Sequence, residues 1–397
     1  MRNVHYRLGH SITENYFELV ERKGLGHPDS IIDGVMEEIS KELCKRYIEE
    51  FGTILHHNVD KGLIVGGEAH VKFGGGEIIK PAEMMLAGRA VYSVEGRDIN
   101  VEGIAMETAR RYLEENFRHL DVDADVILTP KIRMGSEDLL RIFPGKGEVP
   151  LANDTSFGTG FAPYTPLESI VLETEEYLNS KRYKERNVFL GEDIKVMGFR
   201  EGESAKVTIA AAFVSKHIAD MGEYIDRKER VAEDVRKFIS NMYDGDVEIF
   251  INTGDDYKNG LVYITKTGLS MEAGDDGEVG RGNRCNGLIT PYRKMSIEAT
   301  AGKNPVNHIG KIYNVLANEL TKDIITQYDF VESATFSIVS QIGRPINEPK
   351  AADLEVVLAK GYTIEEAKPK LAYVVEAWME NISEITNRIL YGRARIF

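Results

Sequence analysis

The first residues suited to chemistry are His27 and Asp29, in the stretch GLGHPDSIIDG at 24–34. Apolar residues at helical spacing predict an amphipathic helix over 30–51, and Pro28 suits a first helical turn. The unpaired N–H groups of such an end can hold phosphate, and an aspartate there can instead reach a metal ion. The plainer alternative is that Asp29 only caps the helix and His27 only fills the turn.

A second candidate is the loop AGDDGEVGRGNRCNG at 273–287. Its glycines allow close backbone approach, and Asp275, Asp276, Arg281 and Arg284 line it. Carboxylates beside arginines are the composition of a magnesium-phosphate site. A solvated, flexible loop is the alternative interpretation.

A third candidate is Lys303 in the stretch AGKNPVNHIGKIYNVL. Asn304 and Pro305 suit the cap and first turn of a helix predicted over 305–326. A lysine is mildly unfavourable near that end, so a bound anion would explain it. Otherwise Lys303 is a solvent-facing loop lysine.

Four further residues are weaker candidates. Asp193 and Lys195 are two apart on a predicted strand and share a face, which is more often solvated than functional. Glu68 follows two glycines in a strand pattern, which suggests close approach of a ligand. Asp154 opens the Gly/Thr/Asn-rich stretch 152–164, which suits a binding loop or a plain connection.

Several common catalytic patterns are absent from the sequence. There is no P-loop, no Gly-x-Gly-x-x-Gly between strand and helix, no Gly-x-Ser-x-Gly elbow and no Cys/His pair. The inventory of Asp, Lys, Arg and Gly favours a reaction that needs positioning and neutralised phosphate rather than a protein nucleophile.

Composition limits the class of protein. The 397 residues suggest two or three domains, and a net charge of -15 without a Lys/Arg cluster argues against nucleic-acid or membrane partners. Cys44 falls on the apolar helix stripe and Cys285 in a loop, so neither a disulfide framework nor a zinc site is indicated. With no apolar signal core or membrane span in the sequence, we expect a soluble, cytoplasmic protein.

The elements that must position these residues alternate along the chain and predict layers of helices on sheets. Strands are predicted at 62–73, 124–132, 193–199, 205–214, 246–253 and 334–340, and helices at 30–51, 81–90, 102–117, 165–181, 220–242, 305–326 and 363–390.

Local signals refine this outline. REGES at 200–204 reads as a hairpin turn, which implies antiparallel pairing and weakens a doubly wound interpretation. Ser30 and Asp33 have capping-box spacing. The nearest features to domain seams are the Gly/Pro-rich stretch 143–166 and the Gly/acid loop 272–287.

Together the motifs resemble the S-adenosylmethionine synthetase family, specifically its archaeal branch. GHPDS at 26–30 is similar to the family's GHPD motif, and KGLIVGGE at 61–68 to its Val-Gly-Gly-Glu strand. EDIK at 192–195, GDDGEVGR at 274–281 and GKNP at 302–305 match three further segments. Five motifs in the family's order over the whole chain are highly specific.

The resemblance implies that the sulfur of L-methionine attacks the ribose C5′ of ATP, releasing tripolyphosphate that is then cleaved to pyrophosphate and phosphate. It implies that His27 contacts the ribose-triphosphate junction and acts in catalysis, and that Asp29 and Asp275 bind magnesium. It also implies the tripolyphosphate ligands and catalytic residues Lys195, Arg281 and Lys303, the ATP-side carboxylates Asp154, Asp193 and Asp275, and the methionine-side carboxylates Glu68 and Asp154.

Two positions depart from the bacterial and eukaryotic pattern, in which lysines stand where this sequence has Ser30 and Gly282. The phosphate-binding groups that replace them are open, with Arg284 and Lys311 as candidates. A potassium ion is typical of the bacterial enzymes, and Asn58 and Asp60 flank its expected position.

The family fold implied is α+β: three similar domains of mixed sheet plus helices about a pseudo-threefold axis. The predicted domains are discontinuous, with an N-terminal domain of 1–25 and 166–270, a central domain of 26–135 and 271–309, and a C-terminal domain of 136–165 and 310–397. The resemblance also implies a homodimer with active sites at the subunit interface.

Two other classes compete with this interpretation. Another non-P-loop ATP-dependent ligase or kinase would share the need for Mg²⁺, Lys and Arg but would release ADP, or AMP with pyrophosphate. A non-catalytic acidic binding module would bind nucleotide without turnover. Identification of the products separates the three.

Overall fold

The computed structural model describes residues 3–135 and 149–397. Its α-helices are α1 (Pro28–Phe51), α2 (Val101–Asn116), α3 (Val122–Asp125), α4 (Pro166–Asn179), α5 (Lys181–Arg186), α6 (Met221–Ser240), α7 (Ile309–Gln327), α8 (Ile364–Glu380) and α9 (Glu384–Leu390). Its strands are β1 (Val4–Leu8), β2 (Phe17–Lys23), β3 (His57–Asn58), β4 (Leu63–Val65), β5 (Glu68–Lys72), β6 (Gly75–Lys80), β7 (Ala82–Ala90), β8 (Ser93–Val94), β9 (Arg97–Asp98), β10 (Val126–Met134), β11 (Phe157–Ala162), β12 (Leu190–Glu201), β13 (Ser204–Val214), β14 (Val247–Ile251), β15 (Ile264–Thr265), β16 (Gly277–Glu278), β17 (Val331–Val339) and β18 (Ala351–Leu358).

The larger sheets are mixed, which confirms the α+β class. The β12 sheet has the order β14-β13-β12-β2, the β7 sheet has β10-β7-β4-β16, and the β17 sheet has β1-β18-β17-β11. Each combines antiparallel pairs with a parallel pair, namely β13 with β14, β7 with β10 and β1 with β18. The hairpin predicted at 200–204 is confirmed, since Glu201 pairs with Ser204 across β12 and β13.

Each of these sheets packs helices against one face and has its own apolar core. Helices α1 and α2 cover the β7 sheet, α4 and α6 cover the β12 sheet, and α7 and α8 cover the β17 sheet. The pseudo-threefold relation and the domain boundaries stay predictions. The boundaries grouped β1 with β2, but β1 pairs with β18 while β2 pairs with β12.

Helix α1 forms as predicted, with its apolar stripe buried and Pro28 in its first turn. Its cap differs from the prediction. His27 is the N-cap, and its side chain accepts a hydrogen bond from the backbone N–H of Asp29. Ser30 instead donates to the carbonyl of Lys23, and Asp33 accepts from the N–H of Gly280, so both residues bind neighbouring segments rather than cap the helix.

The helix predicted at 81–90 is wrong, because this segment is strand β7. Ala82, Met84 and Leu86 are buried, while Glu83 and Met85 are exposed, which is the two-residue period of a strand with one covered face. Alanine, methionine and leucine have high helix propensity, and tertiary pairing on both sides of β7 overrides it.

Two other predicted helices have different limits. The helix predicted from 305 begins at Ile309, with His308 as its cap, so neither Asn304 nor Pro305 starts it. The helix predicted over 363–390 is divided into α8 and α9. Among the residues that the structure describes, none of the helices is long and apolar enough to cross a bilayer.

Candidate active site

His27 stands at the centre of a group of carboxylates at the start of α1. Its Nδ1 atom accepts the N–H of Asp29 at 3.2 Å. Burial lowers the pKa of His27 below its ordinary value, against the opposing pull of Asp193, Asp29 and Asp275. The imidazole is therefore neutral at pH 7, and it can exchange hydrogen bonds without adding charge. We call His27, Asp29, Asp193 and Asp275 the His27 cluster.

Asp29 is buried and held from two sides. Its Oδ2 atom lies 2.7 Å from the Lys23 ammonium, and its Oδ1 atom accepts the N–H of Glu278 at 2.9 Å. A Cβ atom at Gly277 would lie 2.4 Å from the carbonyl carbon of Pro28, so only glycine allows this approach. The Gly/acid loop therefore packs on the helix start, and the interpretation of it as a flexible solvated loop is wrong.

The loop is anchored along α1 by acidic side chains spaced four residues apart. Asp29, Asp33 and Glu37 are buried, and each accepts a hydrogen bond of 2.9 Å from a backbone N–H of segment 278–302. This spacing places all three on one face of the helix. The sequence analysis missed the function of Asp33 and Glu37, although acidic residues beside an apolar stripe are a usable signal.

Asp275 lies where two glycine-rich segments meet. Its Oδ2 atom accepts the hydroxyl of Ser270 at 2.9 Å, and the neighbouring Asp276 accepts the N–H of Gly66 at 2.8 Å. A Cβ atom at Gly66 would lie 2.6 Å from the backbone of Gly274. The close approach predicted from the two glycines before Glu68 is thus to the Gly/acid loop.

Asp193 joins the cluster through residues that the sequence analysis missed. Its Oδ2 atom accepts the N–H of Ser270 at 3.0 Å and the hydroxyl of Tyr263 at 3.2 Å. Burial raises the pKa of Asp193, while His27 and Ser270 hold it down. Ser270 therefore bridges Asp193 and Asp275. No short motif marks Tyr263 or Ser270, because only the folded chain brings them here.

Lys195 and Arg281 are the accessible cations of the predicted set. The Lys195 ammonium pairs with Glu21 at 2.9 Å and its side chain is 39% exposed. Arg281 is exposed, and its guanidinium makes no hydrogen bond or ion pair with any residue that the structure describes. Arg284 instead donates to the carbonyls of Gly280, Gly282 and Ser296, so it shapes the loop.

Lys303 is buried, which contradicts the interpretation of it as a solvent-facing lysine. Its ammonium lies 2.8 Å from Asp60 and 2.6 Å from Glu298. Burial opposes the charge, but these carboxylates raise the pKa of Lys303 above its ordinary value. It does not lie at a helix N-terminus, since α7 begins six residues later. We call Lys303, Asp60 and Glu298 the Lys303 cluster.

The two clusters are separated along α1 within one chain. Ser40 donates to the carbonyl of Lys303 at 3.2 Å, whereas Asp29 belongs to the His27 cluster. The 11 residues between them correspond to roughly 16 Å of helix. One chain therefore does not bring Lys303 onto the His27 cluster.

The contacts of Lys311 argue against it as a replacement phosphate ligand. It is fully buried on α7, where its ammonium donates to both carboxylate oxygens of Glu37, at 2.6 and 2.8 Å, and to the carbonyl of Lys303 at 2.8 Å. An ammonium has three donors, so none remains for a substrate.

Glu68 and Asp154 are exposed, and no described contact joins either to the His27 cluster. Glu68 opens strand β5. Asp154 accepts the N–H of Thr155 at 2.7 Å, and the adjacent Asn153 accepts the N–H of Ile309 at the start of α7. Asp154 therefore lies on the side of the molecule that carries the Lys303 cluster.

The carboxylates of the His27 cluster include two that could hold a metal ion. Among the residues that the structure describes, there is no group of three or more His, Cys, Asp or Glu side chains that could hold a metal ion by itself. Asp29 and Asp275 nevertheless fit Mg²⁺, because this ion often takes one or two carboxylates and completes its shell with water and substrate phosphate. Potassium fits poorly at Asp60, because both of its carboxylate oxygens are already paired. Oδ2 lies 2.8 Å from the Lys303 ammonium, and Oδ1 lies 2.8 Å from the Lys61 ammonium.

Comparisons with known proteins agree with the motifs. The sequence pattern of the S-adenosylmethionine synthetase (AdoMet synthetase) family matches residues 3–393. The chain is 48% identical to the S-adenosylmethionine synthase of Methanothermobacter thermautotrophicus, covering 97% of each chain. It is 47% identical to that of Pyrococcus furiosus, covering 96% of this chain and 95% of the relative. The probable S-adenosylmethionine synthase of Aquifex aeolicus is 52% identical over 92% of this chain and 94% of its own.

A solved structure shares the fold. The protein described as an unusual S-adenosylmethionine synthetase from Campylobacter jejuni superposes with a TM-score of 0.56. The two chains are 14% identical, and the match covers 94% of this chain and 88% of the other.

Proposed function

The chain belongs to the S-adenosylmethionine synthetase family and is a methionine adenosyltransferase, and on that premise we propose that the His27 cluster is its catalytic centre. Its substrates are ATP and L-methionine. The family match decides against a ligase, a kinase and a non-catalytic module. The observation that supports the placement is the convergence of a neutral His27 with Asp29 and Asp275 at a helix N-terminus.

In the proposed reaction the methionine sulfur forms a bond to the ribose C5′ as the bond from C5′ to the triphosphate oxygen breaks. A thioether attacks without losing a proton, so the barrier lies in alignment and in the charge of the leaving tripolyphosphate. A unit charge pair at 4 Å contributes about 4 kcal/mol at an effective dielectric constant near 20. Several cations on the triphosphate therefore outweigh a general base, which contributes about 3–5 kcal/mol.

The residues act as follows in this proposal. His27 donates to the oxygen at the ribose-triphosphate junction, where charge develops as the bond breaks. Asp29 and Asp275 would hold Mg²⁺, which supplies charge neutralisation to the phosphates. Lys195 and Arg281 bind tripolyphosphate, whose hydrolysis with one water gives pyrophosphate and phosphate. Asp193, through the Tyr263 and Ser270 hydrogen bonds, fixes the ATP-side wall.

We assign the remaining ligands to the second subunit of a homodimer. The β7 sheet, covered by helices on one face, exposes apolar side chains on the other: Leu63, Val65, Met85 and Ile127. Together with the exposed Glu83, which lies between Val65 and Ile127, these side chains form a largely apolar face of the kind that a partner covers. Strand β16 of the same sheet carries Glu278, which binds Asp29, so a partner there lies beside the His27 cluster.

Within one chain, Lys303, Asp154 and Glu68 lie outside the His27 cluster. In a homodimer, the second subunit would supply these residues to the site. We propose that Lys303 binds tripolyphosphate and that Asp154 and Glu68 bind methionine or adenosine across the interface. We further propose the pseudo-threefold arrangement, supported by three mixed sheets that each carry helices on one face. Two buried, unpaired cysteines support a cytoplasmic location.

The deciding experiment combines product identification with a variant. With ATP, methionine and Mg²⁺, we expect S-adenosylmethionine with pyrophosphate and phosphate in equal amounts. His27→Ala should lower kcat by about 100-fold or more while the protein stays folded. The matched control is His10→Ala, which removes an exposed histidine. Full activity of the His27 variant would disprove the placement of the catalytic centre.

A further inference from the structure

Lys23 is a cation that none of the motifs includes, yet it touches two parts of the candidate site. Its ammonium lies 2.7 Å from Oδ2 of Asp29 and donates to the carbonyl of Arg281 at 3.1 Å. Its side chain is 13% exposed, so it is partly accessible to solvent rather than sealed in a core. Lys23 therefore joins the proposed metal ligand to the proposed phosphate-binding segment.

A second lysine lies beside Lys23 across the sheet. In the antiparallel pair of β2 and β12, Lys23 lies directly opposite Lys195. Residues directly opposite share a face, and like charges there are destabilising. In the ligand-free protein, Asp29 pairs with Lys23 and Glu21 pairs with Lys195, and the Lys23 ammonium also contacts the backbone of Arg281. A polyanion bound on this face would meet both ammonium groups.

The backbone of Lys23 is fixed by three hydrogen bonds, and its side chain runs past Gly282. Asn283 accepts its N–H at 3.0 Å and donates to its carbonyl at 2.7 Å, and the Ser30 hydroxyl also donates to that carbonyl. A Cβ atom at Gly282 would lie 3.9 Å from Cδ of Lys23 and 3.4 Å from Cβ of Asp29. These are ordinary contact distances, so the stem of Lys23 passes Gly282 without a close approach.

We propose that Lys23 binds the triphosphate of ATP, exchanging Asp29 for phosphate when the metal-nucleotide complex enters. In the ligand-free protein the ammonium is the counter-ion of Asp29. If Asp29 holds a divalent cation that enters with the nucleotide, the Lys23 ammonium would lose this partner, and phosphate oxygens of the same complex would be the acceptors open to it. This inference rests on the proposed function, because it takes Asp29 as the metal ligand and this cleft as the triphosphate site.

The test measures binding by calorimetry of the non-hydrolysable imido analogue of tripolyphosphate, called tripolyphosphate below, because the enzyme is proposed to hydrolyse tripolyphosphate itself. With Mg²⁺ present, Lys23→Met should weaken binding by about 10- to 100-fold, the effect of losing one charged hydrogen-bond partner, and Lys23→Arg should retain most of it. The matched control is Lys206→Met, on the neighbouring strand β13. That lysine is also paired with a carboxylate, Glu248, and should bind as the wild type does.

A metal-free measurement isolates the exchange of partners. In a chelating buffer, Asp29→Asn frees the ammonium and should strengthen tripolyphosphate binding several-fold. The double variant Asp29→Asn/Lys23→Met should lose this gain. The double variant also leaves no buried unpaired charge, so it remains informative if Lys23→Met alone fails to fold.

The outcomes separate the two proposals. Equal tripolyphosphate affinity in wild type and in the Lys23→Met and double variants would show that Lys23 only neutralises Asp29, and would overturn the inference. Absence of tripolyphosphate binding in the wild type itself would instead overturn the proposed site. Weakened binding in Lys23→Met with retained binding in Lys206→Met supports both.

Discussion

The buried ion pair of Lys311 and Glu37 gives a prediction that separates structural from substrate-binding lysines. Lys311→Met removes an ammonium whose three donors are all used, and it leaves the Glu37 carboxylate with one remaining donor, the N–H of Gly302. Both side chains are almost wholly buried, at 0% and 3% exposed. Breaking such a pair from one side costs about 3–5 kcal/mol.

The assay is thermal unfolding followed by ATP kinetics. For a cooperative unit of 150–250 residues, about 2–4 °C of Tm is lost per kcal/mol, so Lys311→Met should lower Tm by roughly 6–20 °C. The double variant Glu37→Gln/Lys311→Met should recover most of this, because the amide can still accept from Gly302 and donate to the carbonyl of Lys303. Lys322→Met is the control, since that lysine of α7 is 44% exposed and pairs with Glu319.

The kinetic measurement decides the lysine's function. The KM for ATP should stay near the wild-type value in the folded fraction of Lys311→Met, because its ammonium does not face the cleft. An unchanged Tm together with a KM raised tenfold or more would refute this reasoning and make Lys311 a phosphate ligand.

Three other predictions address the metal, the interface and acid stability. Asp29→Asn and Asp275→Asn should each raise the Mg²⁺ concentration for half-maximal rate by about tenfold or more, and an unchanged requirement in both would count against the metal site. Met85→Glu should weaken dimerisation in sedimentation experiments and lower activity, whereas Tyr391→Glu, at a position that is more exposed (70% against 41%) and lies away from the β7 sheet, should not; a dimer unaffected by Met85→Glu would exclude this face. Burial lowers the pKa of His57 to about 3, so the unfolded chain takes up a proton below pH 6.5 that the folded chain does not. The free energy of unfolding should therefore fall by about 1.4 kcal/mol per pH unit from this residue between pH 6.5 and 3, and His57→Gln should flatten the slope by that amount in denaturant titrations.

Local patterns predicted the parts of the site that lie next to each other in sequence. His27, Asp29 and the start of α1 could be derived from the proline, the apolar period and the helix end. The hairpin of β12 and β13 followed from one turn signal. These features depend on interactions within a few residues, which a linear pattern records.

The rest depends on contacts between distant segments. Lys303 was predicted to lie near a helix N-terminus, with a solvent-facing lysine as the alternative, because the sequence pattern does not show that its partners are Asp60 and Glu298. Lys23 and Tyr263 carry no motif and gain a function only by packing against Asp29 and Asp193. Strand β7 was predicted to be a helix, because the alternation of its buried and exposed residues appears only when helices cover one face of its sheet.

The pairing of β1 with β18 has a consequence for synthesis of the protein on the ribosome. Leu8 pairs with Val356, so the first strand has no partner until almost the whole chain has been made. At about 5–20 residues per second, this wait is roughly 20–70 s. The β7 and β12 sheets can close earlier, since their strands end by Glu278. We therefore expect nascent chains stalled before residue 351 to resist protease in α1 while β1 is still cut, and early protection of β1 would refute this order of assembly.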